Sequence, residues 1–177
     1  MKNIFFFPTQ IGIIGIAEQE NKITNVFFET DKISGKDILR DKSNILPEEI
    51  SRLESNGFYI NRTEVLREAE RQLDEYLKGG RKVFDLPMSP EGTEFMQSVW
   101  KCLCGIPYGQ TRTYGEIAEA AGNIKACRAV GMANNRNPIP IFIPCHRVVG
   151  ANGKLTGYRG GLTIKQKLLE LERCCKR

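Results

Sequence analysis

Residues 79–92, GGRKVFDLPMSPEG, constrain the fold of this 177-residue chain more than any other stretch. Paired glycines and two prolines keep the backbone out of regular structure there, and the side-chain pattern changes across it. Ahead of it lie apolar runs at residues 4–7, 11–16 and 23–28, the last two separated by a polar turn at residues 18–22. Short apolar runs bounded by turns predict the strands of an antiparallel meander. Behind it, apolar residues recur at every third or fourth position, the spacing of helices. Such a change of period across a breaker predicts two domains: an α/β (α+β) domain over residues 1–80, a linker over 81–92 and a helical domain over 93–177.

In the first region, residues 31–62 are mixed and polar, with a short helix expected near residues 47–55. A clear helix follows over 63–78, where Leu66, Ala69, Leu73, Tyr76 and Leu77 share one face and Gly79-Gly80 stop it. No motif of chemical interest occurs before Gly80, so this half is expected to be structural.

The second region opens with a helix over 93–104 whose apolar face is Phe95, Val99 and Leu103, with Met96 and Trp100 alongside. Thr113-Tyr114-Gly115-Glu116 fits a capping box, in which a hydroxyl and a carboxylate satisfy free amides at a helix start. Tyr114 falls in that first turn. The helix runs through Ile117, Ala118 and Ala121 to a break at Gly122-Asn123, and a second helix is expected to begin near Lys125. Its predicted packing face is Ala126, Ala129, Val130 and Ala133; Arg128, Met132, Asn135 and Arg136 fall on the other side. Two helices joined by a short glycine turn, the second with basic outward residues, match a helix-turn-helix and equally an ordinary antiparallel pair.

Charge sharpens the contrast between the regions. Residues 1–91 carry 13 basic and 16 acidic side chains, whereas residues 92–177 carry 13 basic and 5 acidic. The second half is therefore the basic one, and a polyanion such as nucleic acid is the expected partner. No apolar run approaches the roughly 20 residues that span a bilayer, and the start lacks a basic region with a cleavage site. A mature cytosolic protein is expected. The six cysteines, at positions 102, 104, 127, 145, 174 and 175, are poorly spaced for a disulfide framework. Reduced thiols are expected, and no structural metal.

Pro144-Cys145-His146-Arg147-Val148 holds the chain's one histidine directly after a cysteine, behind the apolar run at 139–143. A thiol attacks as thiolate, and from an ordinary pKa of about 8.5 it needs a nearby base or cation to do so at neutral pH. His146 and Arg147 are candidates for both. Pro144 interrupts strand pairing just before Cys145, and a histidine and an arginine resist burial without partners. Cys145 is thus expected where the chain leaves the core. Glu172 follows Leu168 by four and Leu169 by three, which places a carboxylate beside an apolar helix face, where it could orient an imidazole. Asn137, ahead of Pro138, could tie down the neighbouring chain. On residues alone, three readings stand: a nucleophilic thiol, as in a Cys-His hydrolase; a DNA-binding module with an incidental thiol; and an inert core cysteine.

Taken in order, Ile106-Pro107-Tyr108-Gly109, Thr113 to Ala118, Ala126 to Gly131, Asn137-Pro138, Ile143 to Val148 and Gly157 to Leu162 closely resemble the O6-alkylguanine-DNA alkyltransferases. These are also called methylated-DNA–protein-cysteine methyltransferases. The resemblance covers roughly residues 92–172; residues 1–80 share only length and general character. It implies an RNase H-like N-terminal domain and a helical C-terminal domain with a winged helix-turn-helix-like DNA-binding unit. It also implies direct repair of O6-alkylguanine in duplex DNA, with O4-alkylthymine left open. The thiolate takes the alkyl group and the protein is consumed. A lesion-binding module without transfer is the alternative, against which the presence of Cys145 argues.

By this resemblance Cys145 is the acceptor, His146 a base acting through water, Glu172 the group that orients it, and Asn137 the holder of the turn. Tyr114 presses on the 3′ phosphate and assists protonation of the leaving guanine. Arg128 fills the space of a base taken out of the stack, a step that costs roughly a few kcal/mol. Lys125, Ala126, Ala129, Asn135 and Arg136 complete the implied DNA surface, which enters the minor groove. Tyr158, Val148, Arg159, Met132 and Pro140 form the implied base pocket, and Arg159 is a departure, since relatives commonly have a small residue there. The zinc site of some relatives is absent, because no cysteine precedes Cys102 and no histidine precedes His146. The implied partner is double-stranded DNA, with no cofactor, no membrane and a monomeric state. The implied location is the cytoplasm, or the nucleus in a eukaryote.

Overall fold

The structure, a computed structural model, describes residues 2–31 and 53–175. The chain divides between Ser89 and Pro90 into two compact units.

In the first unit, strands β1 (Lys2–Thr9), β2 (Gly12–Gln19) and β3 (Lys22–Phe28) form the expected antiparallel meander. The β2–β3 turn places Glu20 and Asn21 at φ of 54° and 59°, the left-handed pair that matches the twist of a two-residue hairpin. A fourth strand, β4 (Phe58–Ile60), pairs with β1 in parallel and gives the sheet the order β3-β2-β1-β4. The meander reading did not include it, because three residues are too few to show a period. Gly15 sits opposite Phe6, and a Cβ there would fall 2.4 Å from the Phe6 ring. Glycine lets that ring lie flat over the neighbouring strand.

Helix α1 (Glu64–Leu77) starts at the Thr63 cap and buries Leu66, Ala69, Leu73, Tyr76 and Leu77, as its spacing predicts. Gln72 is buried with them. Its amide donates to Asp85 O and accepts from Asp85 N, both at 2.9 Å. Pro87 O and Ser89 N both bond to Ile23 at 2.8 Å. The chain after α1 is therefore tied to the first unit up to Ser89. Of the short helix expected at 47–55, Leu53 to Ser55 are helical and the remainder lies outside the described residues.

The second unit begins with α2 (Glu94–Cys104), capped by Thr93, which buries Val99, Trp100 and Leu103. Phe95 and Met96 are only half-buried, so the packing face turns toward Trp100, whose Nε1 donates to Ala133 O at 2.8 Å. Strands β5 (Arg112–Thr113) and β6 (Val148–Val149) pair in parallel. Helix α3 (Tyr114–Ala120) carries the full capping box between Thr113 and Glu116.

A single turn of 3-10 helix (Ile124–Ala126) leads into α4 (Cys127–Asn135), which packs on α2 and α3. The helical stretch thus starts near Lys125 as expected, whereas the expected packing face needs correction. The buried residues are Val130, Ala133 and Asn134, while Ala129 is exposed and Ala126 half-buried. Alanine loses little by facing water, so the all-small stripe did not determine the rotation; Val130 and a bonded Asn134 did. Helix α5 (Leu162–Cys174) closes the unit.

Candidate functional site

The site is built on the stripe of α5 formed by Lys165, Leu168, Leu169 and Glu172, at positions i, i+3, i+4 and i+7. A charged residue stands at each end of this buried face. The Glu172 carboxylate accepts from His146 Nε2 at 2.8 Å, from Arg147 Nε at 3.0 and 3.1 Å, from Arg147 Nη2 at 2.9 Å and from Gly109 N at 2.8 Å. Arg147 Nη1 donates to Ile106 O at 2.6 Å. An unpaired buried charge costs several kcal/mol. Here Glu172 is paired with both basic residues, and Arg147 also reaches a backbone carbonyl.

This network overturns the expectation that Cys145 marks an exit from the core. Cys145, His146 and Arg147 are 2%, 0% and 7% exposed, and burial continues through Val149. Glu172 makes it possible by serving as partner to both basic residues. The run before Cys145 is a buried turn rather than a paired strand. Ile143 N donates to Ile139 O at 2.9 Å, and Ile141 is held at φ 75°, a strained value for a β-branched residue. Asn137 secures this turn, its Nδ2 donating to Ile143 O at 2.9 Å and its Oδ1 accepting from Ile139 N at 3.0 Å.

Burial pushes the Cys145 thiol up to about 11, against the opposing pull of the Asn137 amide, the Lys165 ammonium and the backbone amides of Cys145 and Ile141. The resting group is therefore a thiol that needs a base. Burial also pushes His146 below its usual value despite the neighbouring Glu172, so the ring stays neutral. With Nε2–H donated to the carboxylate, Nδ1 is the ring's basic nitrogen. The ring meets Tyr158 edge-on, with centroids 6.5 Å apart.

Of the residues expected to line a base pocket, Val148, Tyr158 and Pro140 are buried and Arg159 is half-buried. Met132 is 53% exposed, on the outer side of α4. Among the residues expected to meet DNA, Lys125, Arg128, Ala129, Asn135 and Arg136 are exposed, and Ala126 and Tyr114 are half-buried. Tyr114 sits at the first residue of α3. The β5–β6 ladder pairs Thr113 with Val149 and Arg112 with Val148, so the start of α3 lies beside the chain leaving Cys145.

Two buried polar residues escaped the sequence reading. Asn134 Nδ2 donates to Cys145 O at 3.3 Å, which ties α4 to the cysteine turn. Lys165, fully buried, donates to Val148 O at 2.6 Å and to Thr156 O at 2.8 Å, and burial holds it down at about 8. The signal for Lys165 was its place on the stripe that ends at Glu172.

Residues 94–174 match the profile described as "6-O-methylguanine DNA methyltransferase, DNA binding domain", and residues 5–90 match its "ribonuclease-like domain". The likeness thus extends through the first unit, where sequence reading found only general character. A Bacillus subtilis protein named methylated-DNA--protein-cysteine methyltransferase, constitutive, is 45% identical over 167 residues, 93% of this chain and 92% of its own length. A Methanosarcina acetivorans protein named methylated-DNA--protein-cysteine methyltransferase is 60% identical over 124 residues, 70% of this chain and 80% of its own. The crystal structure of Mycobacterium tuberculosis OGT in complex with DNA superposes with a TM-score of 0.80 at 38% identity, covering 98% of this chain and 94% of that one.

Proposed function

The chain belongs to the 6-O-methylguanine DNA methyltransferase family, and on that premise we propose how its own residues carry the reaction. Its fold is α/β in two domains, ribonuclease-like and DNA-binding. It repairs DNA by moving the alkyl group of O6-alkylguanine to one of its own cysteines, a methylated-DNA–protein-cysteine methyltransferase activity. The acceptor is Cys145.

One observation carries that assignment: Cys145 is the buried thiol that directly precedes a neutral histidine locked by a buried carboxylate. The other five cysteines are exposed or half-buried. His146 Nδ1 takes the thiol proton through a water molecule, and Glu172 steadies the ring as its charge grows. The thiolate attacks the alkyl carbon, and the carbon–O6 bond breaks with its electron pair going to guanine. Tyr114 supplies the proton that guanine needs to leave. Asn137 and the Ile141 amide stabilise the thiolate before attack. The product is a thioether, from whose sulfur an alkyl group has no easy leaving route, so each molecule reacts once.

The target base lies inside a duplex and must be taken out of the stack. Arg128, exposed on α4, fills the vacated space, and Tyr114 presses on the adjoining phosphate. Lys125, Asn135 and Arg136 add phosphate contacts, and the exposed Ala129 and half-buried Ala126 let the helix approach the groove closely. Tyr158, Val148 and Pro140 line the base pocket, with Met132 at its outer edge and Arg159 narrowing it or reaching a phosphate. Among the described residues no helix is long and apolar enough to cross a membrane. The relatives named above are bacterial and archaeal, and the same reading places the protein in the cytoplasm with its DNA.

The test is intact mass with peptide mapping after incubation with duplex DNA containing O6-methylguanine, with undamaged duplex as control. A single methyl group on Cys145, reaching one per protein and stopping, is the expected result. Binding without an adduct would make the protein a lesion sensor. An adduct on another cysteine would move the acceptor.

A further inference from the structure

A closed circuit of bonds joins Cys145's side of the site to Tyr114. Val148, three residues beyond Cys145, pairs with Arg112 across the β5–β6 ladder, and Thr113 caps the helix that Tyr114 begins. From the other direction, the buried Lys165 ammonium holds Val148 O at 2.6 Å and Thr156 O at 2.8 Å. The Thr156 hydroxyl then donates to Tyr114 Oη at 3.0 Å. Gly131 of α4 lies beside the ring, where an added Cβ would sit 3.8 Å from its edge.

Thr156 is exposed, and a hydroxyl there has no packing to do. Its backbone is nevertheless rigidly placed, because a fully buried cation grips its carbonyl. The side chain therefore stands on a fixed post and reaches one atom, the tyrosine oxygen. Each hydroxyl can donate or accept, and with Thr156 as donor the tyrosine's own proton is left to be given away.

We propose that Thr156 is a positioning residue for the transfer reaction: anchored through Lys165, it holds the Tyr114 hydroxyl at a set displacement from Cys145 with its proton directed to the departing guanine. The proposal rests on the reading of Tyr114 as the proton donor. It gives the exposed loop after β6 a part in the chemical step that burial and charge alone do not reveal.

Three variants of the full chain test it: Thr156→Val, Thr156→Ser and Tyr114→Phe. The readouts are the single-turnover methyl-transfer rate at saturating O6-methylguanine duplex, affinity for undamaged duplex, and thermal unfolding midpoint. Thr156→Val is expected to slow transfer about threefold to tenfold, the rate equivalent of one ordinary hydrogen bond. DNA affinity and unfolding midpoint stay at the starting values, and Thr156→Ser restores the rate. Tyr114→Phe slows transfer about a hundredfold, the scale of a lost general acid. A normal rate in Thr156→Val beside a slow Tyr114→Phe overturns the role of Thr156 alone. A normal rate in Tyr114→Phe overturns the reading of Tyr114 itself. Slowing that Thr156→Ser fails to restore, or that follows a lowered unfolding midpoint, shows a structural effect and also overturns the proposal.

Discussion

Helices α1 and α5 bury faces of the same geometry and put opposite kinds of residue on them. In α1 the ionic residues stay outside. Arg71 pairs with Glu68 and Glu75, Arg62 with Glu70, and Lys78 with Asp74, all on the solvent side of the helix. The buried face is apolar apart from Gln72. In α5 two ionic residues, Lys165 and Glu172, lie on the buried face itself, fully removed from solvent. Exposed pairs of the first kind contribute little. Buried charges of the second kind are expensive and persist only when paired or hydrogen-bonded. The first arrangement makes a stable domain; the second holds a thiol, an imidazole and a carboxylate together in a buried site.

The largest effect that would break this contrast is expected from Glu172→Gln. The amide keeps the shape of the carboxylate but leaves Arg147 buried against a neutral partner, which costs about 3–5 kcal/mol of stability. It also removes the anion that locks the His146 ring, so methyl transfer should fall at temperatures where the protein remains folded. Chemical denaturation and single-turnover rates, measured together, check both halves. Loss of stability with a normal rate would reduce Glu172 to a structural group like Gln72.

A smaller effect is expected from pH. His146 is held below its usual value in the folded protein, mainly by burial. The unfolded chain therefore binds the proton more readily, and stability falls as pH drops below about 6.5, the ordinary histidine value. Below the depressed folded value the slope from this group flattens. His146→Gln should remove this part of the acid sensitivity, as read from denaturation midpoints across pH. Cys145 acts at the other end: its thiol is pushed up to about 11 by burial. The folded state holds that proton longer than the unfolded chain does, so this group's stabilising share is lost as pH rises toward 11. In the wild type, alkylation of Cys145 by iodoacetamide should accelerate toward pH 11. A plateau near 8.5, the ordinary thiol value, would show that burial does not hold the thiol up.

How much of this was legible depended on the range of the interactions. The α1 face, the Thr113–Glu116 cap and the meander are written in local spacing, and the structure reproduces them. Glu172 was visible as a carboxylate beside an apolar face, and His146 as a base next to a thiol. What local spacing could not show was that one carboxylate would satisfy both His146 and Arg147 and so carry the cysteine turn into the core. Lys165 had the right position on its stripe, yet a lysine reads as a surface residue until the carbonyls of Val148 and Thr156 are seen to meet it. The rotation of α4 failed for a different reason. Alanine has almost no preference between core and water, so a stripe of alanines carries little information about which side faces in.

The contrast is sharpened most finely inside the first unit, where Gln72 is the buried polar residue of α1. Its amide bonds to both backbone groups of Asp85 and secures the chain that follows the helix. Gln72→Ala removes both hydrogen bonds to the Asp85 backbone, each contributing about 0.5–1.5 kcal/mol, so about 1–3 kcal/mol of stability should go with them. Asp74→Asn, on the exposed side of the same helix, removes the pair with Lys78 and should leave the unfolding midpoint unchanged. Neither substitution should alter the methyl-transfer rate per folded molecule, because neither residue belongs to the unit that holds Cys145. A rate change in Gln72→Ala at temperatures where the protein is fully folded would show that the first unit tunes the chemistry, and the division of labour between the two helices would fail.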